Sequence, residues 1–436
     1  MSPLSIIICI LGLGILAAVH ELGHFIVARL LKIKVYELSI FVGPKLFSWK
    51  RNDIEYYIRM IPLGAYVRFS DIDEETGELL DDNPENLINQ ARWKRLLVSL
   101  AGPFMNVVLG VIIFMICFSN FGFLALHQDV IVPGTQVAST RIESGDTILK
   151  MNGQKVFCQM DLSYYLSQVS NVDSIELEMK SAKTGEKYEV QLVPEITDQY
   201  MLGITHYADL DENGGWKVTY VDPQQNNGNP MIKEGDSILS VNDVAVSSDE
   251  ITNVVRESGG QPLTIKLIRD GQEETIEMKA IMVKSSNLRG IYLQDGKGFM
   301  ECFREALVFP ISFVRISIDS LAQVFAGKVP AYDVVSGPVG IASVVSEVVD
   351  APKVESSEKT EMLLILAGGI STGLAFTNML PIPGLDGNAI VLTVVEMVRG
   401  KKLSRKAEQI INVIGFIAII SLVIFALVSD IMRLTR

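Results

Sequence analysis

Apolar residues fall in four long blocks along the chain. Between residues 4 and 31 the only charged side chains are Glu21 and Arg29, and the stretches 96–118, 362–385 and 410–428 contain none. Each reaches the roughly 20 residues that a helix needs to cross about 30 Å of hydrocarbon. The pattern predicts four transmembrane helices, at about 4–31, 96–118, 362–385 and 408–428. A cleaved signal peptide is a poor reading of the first block, which has no basic segment before it and runs on past His20 and Glu21.

Between residues 35 and 69 the period changes to two. Four short apolar-aromatic runs, VYELSIF, KLFSW, IEYYIRM and AYVRF, are separated by Gly43-Pro44, 50–53 and 62–64. They predict a small antiparallel sheet following directly on the first span. The acidic stretch 71–85 reads as a loop. Farther on, IESGDTILKMNGQKV (142–156) and IKEGDSILSVNDVAV (232–246) align without gaps, each followed by helix-like and then strand-like sequence. A Gly-Asp turn, a strand, an Asn-Gly or Asn-Asp turn and a second strand resemble the core of a PDZ domain. Two such α+β domains are therefore expected, at 121–200 and 201–284, the first more divergent because VASTRI stands ahead of its Gly-Asp turn. PDZ domains bind peptides by adding a strand to a sheet edge, although a duplicated pair can serve equally as a spacer or size filter. Between 301 and 328 the pattern is helical, and Arg315 and Asp319 share one face. A helix lying on the membrane surface fits this better than a fifth span, and the segment 285–360 is read as membrane-surface.

Charge orients the spans. The loop 32–95 carries ten Lys/Arg, and the loop before the last span reads RGKKLSRK (399–406). The positive-inside bias puts both in the cytoplasm, so residues 121–360 and both termini face outward. The 436-residue chain has 38 Lys+Arg, 51 Asp+Glu and a net charge of −13. The outward segment alone, with 20 basic and 34 acidic residues, contributes −14. An acidic chain without a basic cluster repels a polyanion, so no nucleic acid is expected as partner. Four scattered cysteines without a C-x-x-C pair imply neither a disulfide scaffold nor a thiolate zinc site.

The candidate chemistry lies inside the first apolar block, in HELGH (20–24). His20 and His24, four residues apart, share one helix face and can reach one Zn²⁺ at about 2 Å. Glu21 is offset around the helix, where it can act as general base toward a water. H-E-x-x-H alone arises by chance. Its depth argues more strongly, since ionisable groups inside a membrane are costly unless paired or functional. A tetrahedral catalytic zinc needs a third protein ligand and one open position. The candidate is Asp386 in NMLPIPGLDG (378–387), where two prolines and two glycines break the third span. Irregular backbone at that depth must be buried in protein or line a wet cavity. Asp386 either faces the histidines or caps the following helix at the cytoplasmic surface.

With HELGHFIVAR (20–29), RWKRLLVSLAGPFMN (92–106), SGPVGIA (336–342) and NMLPIPGLDG in this order, the chain resembles the site-2 protease family of intramembrane zinc metalloproteases over nearly its whole length. It looks most like the bacterial branch of regulator-of-sigma-E proteases. The resemblance implies one Zn²⁺ on His20, His24 and Asp386, Glu21 as catalytic base, and substrate held by Asn378 with the Pro381 and Pro383 turn. It also implies that the sheet at 35–69 captures an extended substrate. The expected protein is a polytopic α-helical membrane enzyme: spans 1 and 2 with the sheet in 1–120, two extracytoplasmic PDZ-like domains, the segment 285–360, and spans 3 and 4 in 361–436. Its expected substrates are single-span membrane proteins of the bacterial cytoplasmic membrane, anti-sigma factors trimmed on the outside first, and remnant signal peptides. Competing readings are a tandem PDZ receptor without protease activity, binding peptide ligands, and a transporter with a broken helix.

Overall fold

The computed structural model describes the chain except residues 1, 73–78, 81–82, 170–173, 223–224, 249, 289, 331–333, 335, 352–353 and 435–436. Most of the acidic stretch read as a loop, 71–85, lies outside the described residues or has no described side chains. The chain divides into a helical unit (1–122, 298–350 and 357–433) and a β-rich unit built mainly from 123–297.

Five described helices are long and apolar enough to cross a membrane: Pro3–Leu30, Arg92–Phe121, Phe299–Phe325, Ser356–Asn378 and the window Val413–Asp430. Four were expected. The addition is Phe299–Phe325, whose mean hydropathy of 1.4 is below the 2.3 of the first two and equal to that of Ser356–Asn378. The first helix, α1 (Pro3–Leu30), begins at an N-cap Ser2 whose hydroxyl accepts from Ser5 N–H, with Pro3 in the first turn; both features favour helix initiation. It packs against α2 (Arg92–Phe121) through glycine. A Cβ on Gly23 would come 2.4 Å from the Ala101 carbonyl oxygen, so the backbones approach as only a hydrogen at that position allows. Likewise α2 meets the helix Ser356–Asn378 at Gly110 and Gly368, the latter lying on the Phe114 ring.

The third apolar block is not one helix. It stops at Asn378, passes through an irregular turn with Gly384 at φ 99°, and resumes as Asp386–Arg399. Proline at 381 and 383 removes two backbone donors, which is why the helix cannot run through. The resumed helix is tied to the start of α2: Arg95 pairs with Glu396 at 2.7 Å and Arg92 donates to the Gly400 carbonyl at 2.9 Å. Lys402 donates to the Ile88 carbonyl at 3.1 Å. The two basic loops therefore sit together at one end of the bundle. At the other end, Ser346 and Asp350 of the segment closing the helix Pro338–Val349 bond to Ser2 and Ser5, where α1 begins.

Between α1 and α2 lie two bent strands, β1 (Glu37–Arg51) and β2 (Ile54–Arg68). Bends near Gly43 (φ 87°) and Gly64 (φ 78°) divide each, so residues 37–40 run between 55–58 on one side and 65–68 on the other. Four short runs separated by turns thus become two long strands folded at the same turns.

The β-rich unit has two lobes, each a six-stranded antiparallel sheet with its own apolar core. In the second, strand order is 204–210, 216–221, 237–241, 262–269, 272–279, with 244–245 paired to 237–241. The first repeats that order with 293–295, 124–128, 147–151, 175–180 and 187–192, and with 154–155 paired to 147–151. Leu288 and residues 293–295, expected within the surface segment that began at 285, therefore belong to the first lobe, as part of its core and as its edge strand. The second lobe is inserted into the first, joined by a two-stranded ribbon of 195–201 and 281–287. Aligned residues of the two stretches make matching bonds: Asp146 accepts from Glu143 N–H and Asp236 from Lys233 N–H. Asn152 and Asn242 each accept a backbone N–H from the neighbouring strand.

Candidate metal centre

His20 and His24 lie on the buried face of α1 with Gly23 between them, turned toward α2. His24 Nδ1 donates to the Val98 carbonyl at 2.7 Å. A carbonyl only accepts, so the proton of the neutral ring is on Nδ1 and the lone pair is on Nε2. His20 Nε2 lies 3.2 Å from His24 Nε2. Into this pair comes Asp386, first residue of the resumed helix, with Oδ2 at 2.9 Å from His20 Nε2 and 3.3 Å from His24 Nε2. Of the two expectations for Asp386 the geometry matches the first: its carboxylate faces the histidines, while the cap of the resumed helix is Leu385 and no side chain caps it.

Three donor atoms of types N, N and O thus stand 2.9–3.3 Å apart. Ligands about 2.0–2.1 Å from one tetrahedral zinc are about 3.3–3.4 Å from each other, so the set fits the ion with little adjustment. The space fits as well. A Cβ on Gly102 of α2 would lie 2.3 Å from His24 Nε2 and 2.7 Å from His20 Nε2, in the position that an ion held by both would approach. Glycine at 102 keeps that space open. Glu21 belongs to the same cluster, with its carboxylate within 4.8 Å of the histidine nitrogens.

The centre opens on a cavity of about 230 Å³ lined by His20, Glu21, Gly64, Asn106, Asn378 and Asp386, among others. Asn378, expected to hold substrate, lies on this wall. Pro381 and Pro383 are not on it; Pro383 packs on the last helix, where a Cβ at Gly415 would come 1.8 Å from Pro383 Cβ. Gly387 fixes the turn from inside, since a Cβ there would lie 2.2 Å from the Leu380 carbonyl. The outer half of β2 borders the centre, and Val67 N–H donates to Glu21 Oε2 at 3.1 Å. That N–H bonds a side chain and not the sheet, and among the described residues 65–68 pair only with 37–40, which leaves an edge beside the cluster.

Asn106, Gly102 and the Val98 carbonyl were not singled out from the sequence. Gly102 carries no readable signal without the packing of α1 on α2. Asn106 carries one: it is the one side-chain amide in the charge-free apolar block 96–118.

The family model of peptidase family M50 matches residues 8–422. The zinc metalloprotease RasP of Geobacillus kaustophilus is 26% identical over 446 residues, spanning 98% of this chain and 98% of that protein. RasP of Oceanobacillus iheyensis is 26% identical over 453 residues, spanning 99% of each. A match of this extent, running through both halves of a zinc-compatible cluster set among long apolar helices, establishes the class. The chain belongs to peptidase family M50, the site-2 proteases, and is a multi-pass membrane zinc metalloprotease.

Proposed function

We propose that the chain hydrolyses a peptide bond within or near the transmembrane segment of single-span membrane proteins, using His20, His24 and Asp386 as zinc ligands and Glu21 as general base. The observation that carries this reading is the approach of His20 Nε2, His24 Nε2 and Asp386 Oδ2 within 3.3 Å of one another beside Glu21. When bound, zinc supplies a Lewis acid that polarises the scissile carbonyl and acidifies water. Glu21 takes a proton from the attacking water as the new C–O bond forms, and returns it to the amide nitrogen as the C–N bond breaks. Val98 and the packing at Gly102 hold the histidines in register, and Asn378 presents its amide to the substrate chain across the cavity.

A helical substrate must first be unwound, because its backbone groups are engaged in its own hydrogen bonds. The free edge at 65–68 offers those groups a strand partner. Val67 N–H, which bonds Glu21 in the free chain, lies where a substrate strand would add. Substitution of Val67 by proline removes this donor, and cleavage of a helical substrate is expected to fall more than cleavage of an extended peptide.

Four of the five apolar helices cross the membrane in this reading. Helix Phe299–Phe325 starts beside the end of α2, with Cys302 Sγ 3.8 Å from the Phe118 carbonyl, and Ser346 and Asp350 lie at the start of α1. The stretch thus begins and ends on one side. Were it to cross, the chain would have to return by Ser346, and the described helix on that path, Pro338–Val349, has 12 residues, about 18 Å, too short for about 30 Å of hydrocarbon in which open backbone facing lipid is not tolerated. The paired basic loops put the opposite end in the cytoplasm. The two lobes then face outward as PDZ-like domains that bind peptides or exclude bulky substrates. Resemblance to the regulator-of-sigma-E branch supports anti-sigma factors already trimmed on the outside as substrates, with remnant signal peptides as a second class. Glu21→Gln is expected to retain one zinc per chain and lose cleavage of a model transmembrane substrate; retained cleavage excludes the mechanism.

A further inference from the structure

Asn106 is fully buried on α2, with its side-chain Nδ2 3.2 Å from His20 Nδ1 and its Oδ1 without a hydrogen-bond partner. Its backbone carbonyl accepts from Ser371 Oγ at 2.8 Å, which ties it to the helix leading to Asp386. The residue therefore sits at the junction of the three segments that build the metal centre: α1, α2 and the broken third span.

An imidazole that binds a metal through Nε2 carries its proton on Nδ1 and needs an acceptor there. His24 has one, the Val98 carbonyl. The group facing His20 Nδ1 is an amide nitrogen, which only donates, while the acceptor of the same side chain has no partner. In the metal-binding tautomer two donors would face each other across this 3.2 Å and repel, although with the proton on Nε2, toward Asp386, the amide nitrogen can donate to Nδ1. A half turn of the amide about its last torsion exchanges its two ends at almost no change in shape. Turned this way, Oδ1 accepts from His20 Nδ1–H and the ring presents a bare Nε2 to the ion.

We propose that Asn106 is a positioning residue of the zinc site: its Oδ1 accepts from His20 Nδ1, fixing the tautomer and orientation that direct Nε2 to the metal. The proposal rests on the ligand set given above and extends it to a residue that touches neither metal nor substrate. It also assigns the two histidines different kinds of support. His24 leans on a backbone carbonyl that no substitution removes, and His20 on a side chain that one substitution can.

The test is zinc affinity of the full-length protein in detergent, measured by competition with a chromophoric chelator, with apo-protein melting temperature recorded alongside. Wild type should bind one zinc and His24→Ala none; if His24→Ala binds as wild type, the ligand assignment itself fails, separately from this proposal. Asn106→Leu, close in volume and unable to accept, is expected to bind zinc about 10- to 100-fold more weakly. Asn106→Asp separates the two amide orientations, because an ionised carboxylate can only accept. If Oδ1 is the partner of His20, Asn106→Asp keeps affinity within about threefold of wild type while Asn106→Leu loses it, a rescue that a purely structural role would not produce. Affinity lost equally in both variants, or retained in Asn106→Leu, overturns the proposal. Should Asn106→Leu fail to fold, Asn106→Asp decides alone: a loss of about tenfold or more overturns it, and retained affinity supports it.

Discussion

A methyl group on Gly102 would stand 2.3 Å from His24 Nε2, closer than any non-bonded carbon can be. Gly102→Ala must therefore push the imidazole away or fill the place of the ion, although alanine suits a helix better than glycine. The expected outcome is a stably folded protein with zinc affinity lowered by about 10-fold or more, as read by metal analysis after dialysis against a chelator. Unchanged affinity would mean the ion sits elsewhere. A second prediction lies in the β-rich unit. Burial alone would raise the carboxyl of Asp146, but the Tyr188 hydroxyl and the N–H groups of Glu143 and Ala182 donate to it and bring it below the ordinary carboxylate range. That stabilisation is complete above the unfolded value of about pH 4 and is lost as pH falls toward and through the lower folded value. Tyr188→Phe is expected to cost about 1.5–3 kcal/mol at neutral pH and to flatten acid unfolding of the β-rich unit, followed by circular dichroism between neutral pH and pH 2. An unaltered acid limb would place the effect outside this pair.

At the scale of elements, the broken third span positions the site. Helix Ser356–Asn378 ends and helix Asp386–Arg399 begins, with a seven-residue turn between them that places the carboxylate against α1. The turn is braced by Pro383 against Gly415 of the last helix. Gly415→Val, remote in sequence and touching no ligand, is expected to displace the turn and lower both zinc affinity and activity, whereas Gly12→Val, on α1 with open space around it, is expected to change neither. Much of this was legible. Prolines at 381 and 383 in a charge-free block announced the break, and H-E-x-x-H announced the histidine face. The extent of the resumed helix was not, because residues 388–398, between the third block and the second basic loop, fall outside every predicted element, and their tie to α2 appears only where Glu396 pairs with Arg95. Nor was the strand 293–295, whose partner, 124–128, lies far back in the chain. Period-two pattern over three residues carries no register, and only the return of the chain after the second lobe supplies it. Helix Phe299–Phe325 shows the opposite limit: length and mean hydropathy admit it as a span, and only the place of its first turn beside Phe118, with that of the later Ser346 and Asp350 beside Ser2 and Ser5, argues for the surface.

For the whole molecule, charge and chemistry separate. The net −14 belongs to residues 121–360, while the rest of the chain, with 18 basic and 17 acidic residues, is close to neutral and contains the zinc-compatible cluster. A cysteine introduced at the exposed Val193 is expected to react with a membrane-impermeant thiol reagent added to intact cells. One at Lys401, in the second basic loop, should react only after the membrane is opened. The reverse pattern would invert the orientation. The central claim is that this cluster cuts a peptide bond at membrane depth. Its most direct measurement is mass spectrometry of the products formed when the purified protein and a single-span substrate are reconstituted in the same lipid vesicles. The account predicts a new terminus within or next to the substrate's transmembrane segment, absent after zinc is chelated, restored by zinc, and absent with Glu21→Gln. Cleavage only in the substrate's soluble parts, or cleavage that persists in Glu21→Gln, would contradict it.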